Sequence, residues 1–126
     1  MQMNPVGWFE IYVDDIERAK AFYGAVFNLS FERIGDEAKV GVEMWGFPAD
    51  MEQYGASGAL AKMDGVSAGG NSTMVYFSCQ DCAVEESRVE GAGGKVMAQK
   101  FSIGPHGFIS VVVDSEGNTI GLHSMV

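Results

Sequence analysis

Hydrophobic and polar positions alternate along residues 8–13. Phe9, Ile11 and Val13 interleave with Trp8, Glu10 and Tyr12, the period of a strand with one buried face. At Asp14 the period changes. Ile16, Ala19, Tyr23, Val26 and Phe27 recur at three- and four-residue spacing, which predicts a helix ending near Asn28. Asp14 is placed to cap the first free amides of that helix, and Glu17 suits the reciprocal half of a capping box. If Phe9, Ile11 and Val13 lie under the helix, Trp8, Glu10 and Tyr12 point to the opposite face of the sheet. A carboxylate between two aromatics on that face is the first sign of function.

Residues 1–5 form a short lead-in. Strands are predicted at 29–33 and 39–45, around a polar turn at 35–37, and a small-residue strand at 57–63. Residues 46–56 carry Phe47, Pro48, Met51 and Tyr54 in an irregular loop that either packs on its own side chains or covers something. Residues 64–72, rich in glycine and serine, read as a flexible linker. The opening pattern then repeats. Phe9 corresponds to Val75, Ile11 to Phe77, Val13 to Cys79 and Asp15 to Asp81, each pair 66 positions apart, which suggests two copies of one unit. The second copy continues with a helix over 82–92, stopped by Gly91, Gly93 and Gly94, and strands over 95–102, 108–114 and 119–125, with a turn at 114–118. The expected class is α+β. One domain spans 1–126, with a βαβββ module at 5–63, a second at 73–126 and the linker 64–72 between them. A small sheet with one bare face is rarely stable alone, so the modules are expected to pair into an open barrel around a cavity.

Composition narrows the function classes. A chain of 126 residues and 13.5 kDa buries enough surface to fold without disulfides or a structural metal. No apolar run approaches the ~20 residues of a membrane span, and no basic-apolar leader opens the chain; a cytoplasmic location is expected. The net charge of −9 argues against nucleic acid and anionic membranes as partners, since both need a cationic surface. It favours a neutral or cationic small-molecule ligand.

Three stretches carry a family resemblance: Val13-Asp14-Asp15-Ile16-Glu17-Arg18-Ala19-Lys20-Ala21-Phe22-Tyr23, then Gly93-Gly94-Lys95-Val96, then Asp114-Ser115-Glu116-Gly117-Asn118-Thr119-Ile120-Gly121-Leu122. Together they resemble the vicinal-oxygen-chelate superfamily of lactoylglutathione lyase (glyoxalase I), bleomycin-resistance proteins and extradiol dioxygenases. The resemblance implies paired βαβββ modules, often a homodimer, and a cavity metal held by His or Glu on the first and last strands of each module. The matching positions here are Trp8, Met74 and Gly121, and residues 57–63 contain no His, Asp, Glu or Cys. Indole, thioether and glycine do not supply the oxygen and nitrogen donors that such metals need. No metal and no cofactor are therefore expected.

The remaining candidates share the predicted inner face. Glu10 lies two residues beyond Trp8, and His123 two beyond Gly121. Glu10 can serve as a base with His123 as its acid or orienting partner, or the two are satisfied structural groups. Trp8, Tyr12, Met74, Tyr76 and Phe108 are expected to line the cavity, with Met44 and Met97 where strand phase allows. His106, in Gly104-Pro105-His106-Gly107, is either a solvent-exposed turn residue or a group at the cavity mouth. Cys79-Gln80-Asp81-Cys82 has the spacing of a redox pair at a helix start, but both cysteines occupy positions that are apolar in the first copy, as small core residues would. Two functions stay open. One is a metal-independent lyase or isomerase using Glu10 and His123; the other is a non-catalytic protein that binds or sequesters a small molecule.

Overall fold

The computed structural model describes residues 6, 8–35, 41–50 and 52–126. The lead-in 1–5, most of the turn at 35–37 and the first two residues of the strand expected at 39–45 lie outside the described residues. In chain order the elements are β1 (Trp8–Tyr12), α1 (Ile16–Phe27), β2 (Glu32–Ile34), β3 (Glu43–Gly46), β4 (Ser57–Lys62), β5 (Tyr76–Ser78), α2 (Cys82–Val89), β6 (Lys95–Ser102), a 3₁₀ turn (Gly104–His106), β7 (Phe108–Val113) and β8 (Thr119–Ser124). Two four-stranded sheets result, ordered β1-β4-β3-β2 and β5-β8-β7-β6. In each, the first strand runs parallel to the last and the other pairs are antiparallel. The fold is the expected α+β pair of βαβββ units, but the two sheets of one chain do not close into a barrel.

The helices cover one face of each sheet. Ile11, Val13, Ile16, Phe22, Tyr23, Val26 and Leu60 from the first unit share a core with Cys82, Val89, Val112, Ile120 and Leu122 from the second. Apolar burial of this kind is the main drive for the two units to fold as one. Their approach is close at Gly94, where an added Cβ would run into the Phe22 ring and the Val113 carbonyl. Only glycine fits there, so its part in the motif is packing as much as helix termination.

Local chemistry departs from the simplest reading at the helix starts. Asp15, not Asp14, caps α1, accepting from the Arg18 amide at 3.1 Å. Asp14 instead accepts from the Ala68 amide at 3.0 Å, and Glu17 pairs with Lys20 rather than closing a capping box. Asn28 ends the helix in the left-handed conformation at φ 55°, which asparagine tolerates. Helix α2 is shorter than 82–92, its last turn passing into the Ala92-Gly93-Gly94 reversal. The segment 64–72 is pinned rather than loose: Ala68 binds Asp14, and the Gly69 amide donates to Asn118 at 2.7 Å.

Cys82 is buried and Cys79 half-buried, both as free thiols. Burial, then the charge of Glu85 and a hydrogen bond with it, push the Cys79 thiol up to about 12. A thiol in that range carries roughly 10³-fold less thiolate at neutral pH than an ordinary cysteine. Alkylation of Cys79 by iodoacetamide is therefore expected to be slower by about that factor in native protein than in urea-unfolded protein. Mass spectrometry over a time course checks this; labelling of Cys79 in the native state at the unfolded rate would restore the redox reading.

Candidate functional site

The face of the first sheet turned away from α1 carries the candidate site. Strand alternation puts Trp8, Glu10 and Tyr12 there, and their β4 partners are Ser57, Ala59 and Ala61. Small residues beside large ones leave the three side chains standing clear of the sheet. Both carboxylate oxygens of Glu10 are engaged: Trp8 Nε1 donates to one at 3.2 Å and the Tyr12 hydroxyl to the other at 2.9 Å. The bond to Glu10, then partial burial and the carboxylate's charge, raise the Tyr12 hydroxyl's pKa above its ordinary value, so it stays a donor at neutral pH. The group is open to solvent; Trp8 is 45% exposed. A fixed anion with an indole and a phenol at its sides offers a cation both charge and π-faces.

Three hollows border this group. One, of about 430 Å³, runs beside β1 and is lined by Glu10, Tyr12, Asn71, Thr73 and Asn118 among others. The second, of about 400 Å³, is lined by Trp8, Pro48, Asp50, Gln53 and Tyr54 among others. The third, of about 460 Å³, shares Trp8 and Pro48 with the second and adds Glu32 and Arg33. Asp50 and Gln53 were not legible as site residues; the only sequence signal was the aromatic loop itself.

The second sheet presents its own open face. By register Tyr76 stands beside Gly121, Ser78 beside His123, and Ile109 and Val111 beside His123 and Gly121. His123 Nε2 lies 2.7 Å from the His106 carbonyl; a carbonyl only accepts, so this nitrogen carries the proton. His106 thus meets His123 through its backbone, in an exposed 3₁₀ turn. The structure does not join Glu10 to His123: each is held by other groups, on different sheets. Met74 is half-buried just before β5. Phe108 leaves the expected set. It packs against the core on the helix side, with the Lys100 ammonium 4.8 Å above its ring and that ammonium bound to Asp81, the cap of α2. The phase of β7 decides this, since Ser110 and Val112 on the same face are buried.

Comparison with known proteins agrees with this architecture. Residues 6–44 match the family model described as bleomycin resistance protein-like N-terminal. A "Glyoxylase-like domain-containing protein" of Didymella fabae is 27% identical over 115 residues, covering 90% of this chain and 88% of that protein. The solved structure of glyoxalase I from Zea mays superposes with a TM-score of 0.76 at 21% identity over 96% of this chain. The chain resembles glyoxalase and bleomycin-resistance proteins of the vicinal-oxygen-chelate superfamily and shares their fold. It covers 46% of the maize enzyme, about half its length. An antibiotic-binding protein from Streptomyces sp. CB03234, TnmS3, matches at 25% identity and a TM-score of 0.65 over 98% of each chain.

Within this superfamily fold, the residues present do not fit the implied metal. Trp8 and Met74 offer no suitable donor, and at Gly121 an added Cβ would run into the ring of Tyr76. The space a last-strand carboxylate would need is already filled by an aromatic ring. Among the described residues, no group of three or more His, Cys, Asp or Glu is placed to hold a metal ion. No helix among them is long and apolar enough to cross a membrane.

Proposed function

We propose that this protein binds a small cationic, aromatic molecule at the Trp8–Glu10–Tyr12 face and sequesters it without chemical change. The observation that carries the reading is the Glu10 carboxylate, fixed by an indole N–H and a phenol on an accessible surface. The net charge of −9 adds long-range attraction for cations, and TnmS3 is by its description an antibiotic-binding protein. The same reading takes the chain as a homodimer. Tyr76 and Phe101 are 49% and 45% exposed, and a second copy laying that sheet face over Trp8 and Glu10 would turn an open face into a cavity.

Acriflavine, a planar cation, serves as the probe in isothermal titration calorimetry, with sedimentation reporting the oligomeric state. Wild-type protein is expected to bind it, with Trp8→Ala weaker by about 10-fold or more and Glu10→Gln weaker by about 10-fold, from lost cation–π and charge-assisted contacts. Equal affinity in wild type and Glu10→Gln would overturn the proposal. The alternative, proton transfer by Glu10 and His123 in a metal-independent lyase or isomerase, predicts that Glu10→Gln retains binding but loses turnover.

A further inference from the structure

The hollow that Trp8 shares with Asp50 and Tyr54 extends the site, and the inference drawn from it rests on the binding function just proposed. Trp8 serves two spaces at once. Its indole N–H donates to Glu10, while its ring walls the hollow that also contains Pro48, Asp50, Gln53 and Tyr54. Tyr54 is 90% exposed, so a large ring stands beside an empty volume of about 400 Å³ with little packing of its own. An exposed aromatic beside such a volume offers a stacking surface. Asp50 is oriented by its own turn: one carboxylate oxygen accepts from the Glu52 amide at 3.0 Å, and its carbonyl accepts from the Gln53 amide at 3.0 Å. Among the described residues lining this hollow, none is cationic, and the Arg33 of the adjoining hollow is not among them. Trp8 thus binds Glu10 through its indole N–H and shares a hollow with a second carboxylate and a second aromatic.

We infer that the preferred ligand is a planar molecule with two separated positive charges, one recognised by Glu10 and the other by Asp50, with its ring system between Trp8 and Tyr54. Asp50 and Tyr54 then determine specificity, selecting dications over monocations of the same shape.

The test compares two probes on one scaffold: 4′,6-diamidino-2-phenylindole, with two amidinium groups, and the 2-phenylindole bearing only the 6-amidine. Calorimetry is run on wild type, Asp50→Asn, Tyr54→Ala, Tyr54→Phe and Glu10→Gln, with circular dichroism confirming the fold of each. Wild type is expected to favour the diamidine by about 10-fold, the worth of one charge-assisted hydrogen bond. Asp50→Asn should reduce that preference to near unity. Tyr54→Ala should weaken the diamidine, and Tyr54→Phe should restore it. Glu10→Gln should weaken both probes. If Glu10→Gln weakens both but Asp50→Asn leaves the preference intact, the second half-site is wrong and the binding function stands. If Tyr54→Ala binds the diamidine as wild type does, the stacking role is wrong. If wild type binds neither probe, both proposals fall together.

Discussion

Asp114→Ala is expected to lower the unfolding free energy by about 4 kcal/mol. Asp114 is 3% exposed and accepts four hydrogen bonds: from the Tyr23 hydroxyl at 2.7 Å, the Glu116 and Asn118 amides at 2.8 Å each, and Asn118 Nδ2 at 3.1 Å. Truncation leaves the Tyr23 hydroxyl and the Glu116 and Asn118 amides without an acceptor, and each costs roughly 1–3 kcal/mol before relaxation. The damage reaches the candidate site, because Asn118 Nδ2 also donates to the Tyr12 carbonyl on β1 at 3.0 Å, and Asn118 Oδ1 holds Gly69. Urea unfolding followed by circular dichroism measures the loss; a change below about 1.5 kcal/mol would mean that water replaces Asp114 and that the loop is not the junction described here. Tyr23, its partner, is held neutral well above the ordinary tyrosine range by burial first, then by the charge of Asp114 and the bond to it, and by the charge of Glu116. A raised folded pKa means stability that is complete below the unfolded value of ~10 and is lost as pH rises through the folded one. Alkaline unfolding is expected to begin there.

Glu116→Ala is expected to cost about 3 kcal/mol and to change the response to acid. Its side chain is fully buried although it lies in a turn. One oxygen accepts from the Asp14 and Asp15 amides at 3.1 and 2.8 Å and from Arg18 Nη2 at 2.9 Å; the other accepts from Arg18 Nε and from the Ser115 hydroxyl at 3.0 Å. A carboxylate from the second unit thus caps the first helix of the first unit, where a helix N-terminus favours an anion. Burial by itself would raise the Glu116 carboxyl's pKa. The Arg18 hydrogen bond, the Asp15 amide, the Ser115 hydroxyl and the Arg18 charge outweigh it and hold that pKa below the ordinary glutamate value. A depressed folded pKa stabilises above the unfolded value of ~4.3 and is lost as pH falls through the folded one. Wild type should therefore lose stability below about pH 4.5, and Glu116→Gln, already without that charge, should lose less over the same range. Thermal melts at pH 3 and pH 7 decide the matter; parallel acid limbs in the two proteins would rule out Glu116 as a contributor.

The alternation around Phe9, Ile11 and Val13, the helix face of Ile16, Ala19, Tyr23 and Val26, and the recurrence 66 positions later are local periodicities. They set which face each side chain takes, so the two βαβββ units, the buried faces and the outward Trp8, Glu10 and Tyr12 were legible from local pattern. Buried Cys82 and half-buried Cys79 follow from the same phase. Phe108 shows where such reasoning stops: alternation marks two faces of a strand but does not say which one a helix will cover. Long-range packing, not local pattern, sets which donors reach Glu10, that His123 is held by the His106 carbonyl instead, that Tyr76 fills the space beside Gly121, and that Asp50 and Tyr54 share a hollow with Trp8. It also made Asp114, Glu116 and Asn118, which read as an ordinary polar turn, the buried joint between the two units. The reason is sequence separation. Glu116 and Arg18 are 98 positions apart, and no periodicity along the chain records which distant amide a carboxylate will meet once the cores have packed.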